Sequence, residues 1–433
     1  MTSQGGLVRL LGSAEFARAY TVAVLTAVFS AFTIERAAAP VTLATVIAAL
    51  CALGACILWV RREELSLLRI APSSLLAFLA WALVSLVWTT DKSDTAFGWM
   101  ALFGFAFLAI TVGHIRDTLQ TVRALGDSLR ILLLLSLGLE ILSGVLLDMP
   151  FTFLSIQGDL AVGGPVQGIF GSRNMLGFVT VIALITFVVE WRSQSLTARI
   201  AIPSIALGAL LAFLSSSPTV LVLAAAVGVV AVALAIVRHT PAERRTVVQW
   251  VLGVLVAMAL TAAFALRHAI IALLDAGSDF SIRATLWNTI LDFVALKPIE
   301  GWGWFGPWAR GEYPFTYINF LLDDHHQSAL NAYFDVLLQL GTAGLVLFLL
   351  LGGVATVRSW LVASVRRSVV YAWTPLMLVT LAVDSMFESF TLAGAGWFML
   401  VLCALRAGQS RSWRESIDAA HTGTIPTLRS SGP

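Results

Sequence analysis

The sequence predicts an all-α membrane protein that crosses the bilayer about twelve times and carries one long loop outside it. Of the 433 residues, 58% are hydrophobic and only 12% are charged, whereas an average soluble domain is about a quarter charged. Apolar runs of about 17 residues or more recur along the chain, and each can cross a hydrocarbon layer about 30 Å thick. The alternating pattern of a membrane β-barrel is absent from the sequence.

The predicted spans divide the chain into four parts. Residues 1–266 contain nine transmembrane helices, 267–328 form a polar loop with short helices, 329–406 contain three more helices, and 407–433 form a polar tail that we expect to be disordered. The twelve spans are expected near 18–34, 40–59, 73–88, 96–113, 130–147, 174–190, 198–214, 218–237, 246–266, 329–351, 369–387 and 391–406.

Positive charge predicts the orientation. If the N-terminus is inside, 20 of the 27 Lys and Arg residues fall on the inner side, so the positive-inside rule places both termini in the cytoplasm and the long loop outside. The outer cations are Arg36, Lys92, Arg173, Arg267, Arg283, Lys297 and Arg310. Four of these lie in the long loop, where they have no orienting role, and they are therefore candidates for binding anions.

Residues 114–130 have an amphipathic pattern. Apolar residues recur there every three or four positions, from Ile115 to Leu129. This spacing predicts a helix that lies on the inner surface of the membrane.

The long loop contains a predicted helix that ends before Lys297-Pro298. Arg283 and Trp287 are four residues apart and therefore lie on one face of it. A guanidinium there can bind a phosphate or pyrophosphate through two parallel hydrogen bonds. The alternative is an arginine that pairs with Asp279 or Asp292 on a surface helix.

Two other groups in the loop are candidates for binding or catalysis. The aromatic turn with Trp302 and Trp304 can stack on sugar rings or sit at the membrane interface. Asp324, His325 and His326 come just before the tenth span. Histidine is suited to proton transfer near neutral pH, and a neighbouring carboxylate can orient it. A solvated helix cap and a metal site are the alternatives, but no third metal ligand is evident.

The loop before the sixth span places Arg173 at the outer membrane boundary, where a lipid-linked anion would lie. An interfacial arginine without such a ligand is the alternative. The hydroxyl cluster 215–217 precedes Pro218, and these hydroxyls can cap the helix that the proline begins.

Two acidic residues in the eleventh span are also candidates. Asp384 and Glu388 are four residues apart and share one helix face. Ionisable groups within a span are costly and usually functional. These two can bind a cation, relay protons, or pair with Arg173 or Arg283.

Several short motifs, in this order, resemble the O-antigen ligase-like superfamily of O-antigen ligases, Wzy polymerases and ExoQ-type polymerases. The resemblance covers most of residues 75–405. The motifs are Trp88-Thr89-Thr90-Asp91, Gly171-Ser172-Arg173-Asn174-Met175-Leu176-Gly177, Ser281-Ile282-Arg283-Ala284-Thr285-Leu286-Trp287, Lys297-Pro298-Ile299-Glu300-Gly301-Trp302-Gly303, Asn331-Ala332-Tyr333, Gln339-Leu340-Gly341-Thr342-Ala343-Gly344-Leu345 and Phe387-Glu388-Ser389.

The resemblance implies a GT-C-like glycosyltransferase of the bacterial inner membrane that uses neither a metal ion nor another cofactor. Its donor would be a polyprenyl-diphosphate-linked oligosaccharide, and the family's loop arginine corresponds to Arg283. The family's histidine precedes the asparagine that opens the next helix, but here Leu330 precedes Asn331. The arginine that usually ends the hydroxyl cluster is replaced by Pro218.

The sequence therefore predicts a set of site residues. Arg283, Arg173 and Arg310 would bind the diphosphate, while Trp287, Trp302, Trp304 and Asn331 would bind other parts of the substrate. The base would be one of His326, His325, Glu388 and Asp324. We favour an ExoQ-type polymerase, with an O-antigen ligase as the alternative and a transporter or flippase as a third class. The expected partners are membrane lipids, a flippase and a chain-length regulator, with no nucleic acid.

Overall fold

The computed structural model of the protein describes residues 9–64, 70–266, 277–308 and 311–409. Within them the chain is helical and forms no β-strand. The helices are α1 Ala14–Phe29, α2 Ala31–Ala38, α3 Pro40–Val60, α4 Ser73–Val84, α5 Lys92–Ile115, α6 Thr118–Ile141, α7 Arg173–Arg192, α8 Ala198–Leu214, α9 Pro218–His239, α10 Ala242–Ala265, α11 Gly277–Leu296, α12 Phe315–Leu322, α13 Ala332–Val365, α14 Val370–Asp384 and α15 Gly394–Gln409. Arg267, Arg310 and the tail from residue 410 lie outside the described residues.

The predicted class, an all-α polytopic membrane protein, is confirmed. Helices occupy all twelve predicted spans. In the described residues, six helices are long and apolar enough to cross a membrane by themselves, and a seventh crossing results if the bent pair α1–α2 is one span. Shorter apolar helices at Ser73–Val87, Ala198–Leu214 and Val370–Asp384 fill three more of the predicted spans. Twelve crossings therefore stay a prediction.

The first predicted span is broken rather than straight. Helices α1 and α2 meet at Ser30 with a bend of 69°. Phe32 and Thr33 on α2 reach the turn that precedes α7, where the Thr33 hydroxyl donates to the carbonyl of Ile169 at 2.6 Å. The bend therefore brings the N-terminal helices against the segment that leads to Arg173.

The prediction of a surface helix at 114–130 is wrong. A capping box between Asp117 and Gln120 starts α6, which continues without interruption to Leu147. The apolar residues Val122, Leu125 and Leu129 are fully buried. Their spacing fits a packed helix as well as a surface helix, and contact with α1 and α7 decides between the two.

Helix α7 is the most buried of the six long apolar helices. In its most apolar 18-residue segment, 72% is buried inside the protein. It packs against α6, α8, α9 and α14. The Ser172 side chain caps it by accepting a hydrogen bond from the amide of Met175 at 3.1 Å. This cap fixes where the first turn of α7, with Arg173 and Asn174, begins.

Helix α13 is broken at Gly341, and the loop before it is docked into the break. Gly341 has φ 66° and ψ −169°, a conformation that favours glycine. A side chain at Gly301, on the loop, would come within 2.5 Å of the Gly341 amide nitrogen. Glycine at both positions therefore allows the two backbones to touch.

The loop also satisfies the backbone groups that the break exposes, as a helix in a membrane requires. Three carbonyls of α13 accept hydrogen bonds, two from loop amides and one from Trp81 of α4, and two amides of α13 donate to loop carbonyls. The pairs are Trp302 N to Leu338 O, Gly303 N to Gln339 O, Trp81 Nε1 to Leu340 O, Thr342 N to Pro298 O and Ala343 N to Ile299 O, at 2.8–3.3 Å. The loop and α13 thus form one unit, which holds α11 in place.

Candidate functional site

Three segments meet at Arg283. This residue lies on α11, and its Nη1 donates to the carbonyls of Leu330, at 2.9 Å, and of Phe387. Its Nη2 lies 3.4 Å from Oε1 of Glu388, in the turn after α14. Of the arginine partners predicted for Glu388, the structure shows Arg283. Asp292 is not a recorded partner of Arg283, and the side chain of Asp279 lies outside the described part of the structure.

Glu388 is also held from the opposite side by α7. The side-chain amide of Asn174 donates from Nδ2 to the same Oε1 atom at 2.7 Å. The hydroxyl of Ser217 donates to Oδ1 of Asn174, also at 2.7 Å. Four residues from four segments therefore form one chain of polar contacts, from Ser217 through Asn174 and Glu388 to Arg283.

The second carboxylate oxygen of Glu388 is left open. Both recorded donors approach Oε1, and no described residue donates to Oε2. Oε2 is also not among the fully buried side-chain oxygens that lack a partner, and 8% of the side chain remains exposed. Oε2 can therefore accept a proton from a molecule that enters the site.

Arg283 retains donors for a ligand. A guanidinium has five N–H donors, and the protein groups above take three of them. The remaining two are Nε–H and one hydrogen of Nη2, and 21% of the side chain is exposed. Two donors on one planar group suit two oxygens of a phosphate.

Arg173 lies beside this chain of contacts. It is the first residue of α7, next to Asn174, and it is partly exposed. It makes no recorded hydrogen bond or ion pair with the described residues. Its charge adds to the positive end of the α7 dipole, so this corner of the protein favours an anion.

The two histidines have other partners. His326 Nε2 pairs with Oδ2 of Asp324 at 3.2 Å, and its backbone is bonded to the side chain of Asn319. His325 is exposed. The sequence grouped these two histidines with Glu388, but in the described structure neither of them has a recorded contact with Glu388 or Arg283.

The aromatic turn is packed inside the protein. Trp302 and Trp304 are 7% and 1% exposed. Trp302 donates to the carbonyl of Phe293 at 3.2 Å, and Lys297 lies 4.4 Å from the centre of its ring. Trp304 packs edge-on against Phe78. The expectation that these rings present an open stacking surface is therefore corrected, since tertiary packing covers them.

Trp287 and Asn331 hold the frame around Arg283. The Trp287 ring stacks on Phe334 with centroids 5.2 Å apart, and its Nε1 donates to the carbonyl of Ala329 at 2.9 Å. Asn331 caps α13 and donates from Nδ2 to the carbonyl of Met386 at 2.9 Å. Both residues fix the two segments whose carbonyls bind Arg283.

Sequence reasoning missed Asp335. This carboxylate is 2% exposed and accepts hydrogen bonds from Nε1 of Trp308 at 2.6 Å, from the amide of Ala329 at 3.0 Å and from the hydroxyl of Ser389. It therefore ties the loop, the start of α13 and the turn that bears Glu388 together. An acid in an apolar helix was the available signal.

Sequence reasoning also misassigned Ser217. It occupies the capping position of α9 but makes no capping hydrogen bond with that helix, and it donates to Asn174 instead. Ser215 donates to the carbonyl of Ala212. The prediction that the hydroxyl cluster caps α9 is therefore wrong for these two residues.

Asp384 lies one helical turn before Glu388 and is fully buried. Neither of its carboxylate oxygens has a hydrogen-bond partner among the described residues. It is therefore the acid of the predicted pair that does not contact Arg283.

The family comparison covers much of this site. Residues 203–349 match the family model described as O-antigen ligase. This part of the chain is therefore similar to O-antigen ligases. The match supports the superfamily that the motifs predicted and a role as a membrane glycan ligase or polymerase, whereas the ExoQ type stays a prediction. No curated protein matches the chain.

The matched segment spans about a third of the chain, from within α8 to the middle of α13. It contains Ser217 and Arg283, while Asn174 and Glu388 come from outside the matched residues. The polar contacts therefore join the matched segment to the helices on either side of it in sequence.

Proposed function

We propose that this protein polymerises polyprenyl-diphosphate-linked oligosaccharide repeats into exopolysaccharide or O-antigen. The observation that carries the proposal is the pairing of Arg283 with Glu388 beside Arg173. This arrangement puts free cationic donors next to a carboxylate oxygen that is open to a ligand. The reaction needs both groups, one for the leaving diphosphate and one for the acceptor.

In the proposed step, an acceptor sugar hydroxyl attacks the anomeric carbon of the donor sugar. The new carbon–oxygen bond forms as the bond from that carbon to the diphosphate breaks. Oε2 of Glu388 takes the hydroxyl proton. The polyprenyl diphosphate leaves with the bonding electrons, and the free donors of Arg283 together with Arg173 stabilise its charge. We propose that these arginines do so without a metal ion.

We assign the base to Glu388 rather than to His326, His325 or Asp324. Asp324 and His326 are paired with each other, and among the described residues neither side chain has a recorded contact with Arg283. Glu388 shares a contact with the arginine that would hold the donor. A base must reach the hydroxyl that attacks beside that donor.

The proposed setting is the bacterial inner membrane, with both termini in the cytoplasm and the site on the outer face. The excess of Lys and Arg on one side of the chain supports this orientation. A flippase would supply the lipid-linked repeat, and a chain-length regulator would act with the polymerase.

A ligase is the second proposal, because the matching family model is described as O-antigen ligase. It would use the same donor chemistry and transfer the glycan to lipid A core. Purified protein in liposomes with a polyprenyl-diphosphate oligosaccharide separates these activities. Longer glycans indicate a polymerase, transfer only to added lipid A core indicates a ligase, and glycan flux across the bilayer without transfer indicates a transporter.

The same assay tests the site. We expect Arg283→Ala to lower the rate about 100- to 1,000-fold, as loss of a donor to developing negative charge does. Arg36→Ala is the matched control, since Arg36 is an exposed arginine on the predicted outer side, and its recorded side-chain contact with the described residues is the ring of Phe32. An unchanged rate for Arg283→Ala would overturn the proposed role of the loop arginine.

A further inference from the structure

We infer that Asn174 and Ser217 are positioning residues that set the orientation of the Glu388 carboxylate. The inference rests on the proposed function, because it assigns them a role through Glu388. Neither residue belongs to the catalytic groups predicted from the sequence. The contacts that carry the inference are the two hydrogen bonds of 2.7 Å that link Ser217, Asn174 and Glu388.

The donor and acceptor ends of the Asn174 amide determine how it must be oriented between Ser217 and Glu388. A side-chain amide has one accepting end, Oδ1, and one donating end, Nδ2. A carboxylate such as Glu388 can only accept, so it requires Nδ2 of Asn174. The hydroxyl of Ser217 donates to Oδ1 and thereby stabilises the amide in the orientation that serves Glu388. Without this hydroxyl, the Asn174 amide could flip, and Oδ1 of Asn174 would then face Oε1 of Glu388. The two oxygens would repel each other.

The same link selects which carboxylate oxygen is free. Asn174 and Arg283 approach from different segments, and both meet Oε1. Oε2 is consequently the oxygen left for an acceptor hydroxyl. If Asn174 released Oε1, the carboxylate would be free to rotate, and Oε2 would no longer be fixed relative to Arg283.

A close approach of two helices brings Ser217 to Asn174. A side chain at Gly177, one turn along α7 from Asn174, would clash with Val220 of α9 and would come within 3.4 Å of Cβ of Ser217. Glycine at this position therefore lets the start of α9 approach the first turn of α7. This gives a physical role to the last glycine of the motif 171–177.

Ser217 bonds to Asn174 instead of capping its own helix. A serine before the first turn of a helix usually caps it by accepting a hydrogen bond from a backbone amide. Ser217 has that position before Pro218, yet no capping bond forms. Its hydroxyl hydrogen is directed to Asn174, which connects α9 to the site instead of stabilising its own helix.

The decisive experiment measures whether these residues act through Glu388. In the liposome assay, the variants Asn174→Ala and Ser217→Ala are made in the wild-type chain and in a Glu388→Gln chain. We expect each to lower kcat about 10- to 100-fold in the wild-type chain, because a small displacement of a reacting group is that costly. We expect the KM for the donor to be unchanged.

In the Glu388→Gln chain, the same two substitutions should cause no further loss, because the group that they position is already disabled. Ser217→Thr should restore most of the rate, since it keeps the hydroxyl. Ser215→Ala is the matched control in the same turn, because its buried hydroxyl donates only to the carbonyl of Ala212, and it should leave kcat unchanged.

Two outcomes would overturn the inference. One is a loss of the same size in the Glu388→Gln chain as in the wild-type chain, which would show a general structural role. The other is an unchanged kcat for both alanine variants. If Arg283→Ala and Glu388→Gln themselves left the rate unchanged, the proposed function would fail, and the positioning inference would fall with it. The single variants of Arg283 and Glu388 thus separate the two failures.

Discussion

Helix α7 has an arginine–carboxylate pair at each end, and the two pairs are built differently. At its C-terminal end, Glu190 pairs with Arg130 of α6. Arg130 also binds Asp127 at 2.9 Å and Ser204 at 2.9 Å, and its guanidinium lies 4.9 Å from the centre of the Phe187 ring. Oε1 of Glu190 has no hydrogen-bond partner among the described residues, but it is fully buried, and the Glu190 side chain is only 1% exposed.

At the N-terminal end, the pair of Glu388 and Arg283 lies beside α7 and is more exposed, with 8% and 21% of the two side chains accessible. Each arginine leaves two guanidinium donors without a recorded partner among the described residues, but the open oxygen at this end, Oε2 of Glu388, is not fully buried. A carboxylate oxygen that is fully buried does not meet a ligand, so the pair at the C-terminal end has a structural role. A pair with unused donors and an open acceptor can exchange protein contacts for contacts with a substrate.

The largest expected effect is an opposite response of the two carboxylates to the same substitution. Glu388→Gln should lower the transfer rate about 100- to 10,000-fold, the range that a positioned proton acceptor contributes, and should leave the melting temperature nearly unchanged. Glu190→Gln should leave the rate of the folded protein unchanged. Transfer assays and thermal melts of both variants in one detergent would measure this. Equal losses of rate would show that the two pairs do not differ as described.

The second prediction concerns stability at the C-terminal end of α7. Arg130→Ala removes the charge partner of a buried carboxylate, and breaking a buried pair in this way costs about 3–5 kcal/mol. We expect a large drop in the melting temperature and in the yield of folded protein. Arg18→Ala is the control, because its contact with Asp127 is 67% exposed on the arginine side and should contribute little. A yield equal to wild type for Arg130→Ala would contradict the structural role.

The third prediction sharpens the choice of base. His326→Ala removes a side chain that pairs with Asp324 and has no recorded contact with Glu388 or Arg283. We expect the rate to fall less than about threefold, against the far larger loss for Glu388→Gln, since general-base catalysis requires the base to reach the reacting proton. Parallel rate measurements would decide. A loss as large as that of Glu388→Gln would return the catalytic role to the histidine.

The smallest expected effect concerns Asp384. Its two buried oxygens have no partner among the described residues, and a buried polar group without hydrogen bonds costs about 1–3 kcal/mol. Asp384→Asn keeps the shape and removes the ionisable group, so we expect a melting temperature equal to or slightly above that of the wild type. A marked decrease would show that the carboxylate has a favourable partner.

The sequence predicted well what depends on local pattern. Helices occupy all the predicted spans because their apolar length alone determines them. Arg283 and Glu388 were candidates because cations in an outer loop and acids in a span are unusual. Their pairing was one of several alternatives, because a contact between residues 105 positions apart depends on the packing of α11 against α13.

The sequence predictions that the structure does not bear out have a common physical cause. The turn around Trp302 has the same composition whether the surrounding chain buries it or leaves it open. Ser217 before a proline is a typical cap, and only the approach of α7 redirects its hydroxyl. The loop histidines are near Glu388 in the order of motifs but not in recorded contacts. In each case tertiary packing determines which groups the side chain contacts, and the local sequence pattern does not reveal that packing.

The break at Gly341 has a consequence for the order in which the protein is assembled. The loop and Trp81 precede α13 in the chain, so these partners of the interrupted helix are synthesised before it. A chain whose loop did not reach the break would leave amides and carbonyls of α13 unpaired, at a cost of several kcal/mol for each group that met lipid. In the topology that we propose, the loop must therefore be translocated before α13 is stable, and the scaffold and the site form together.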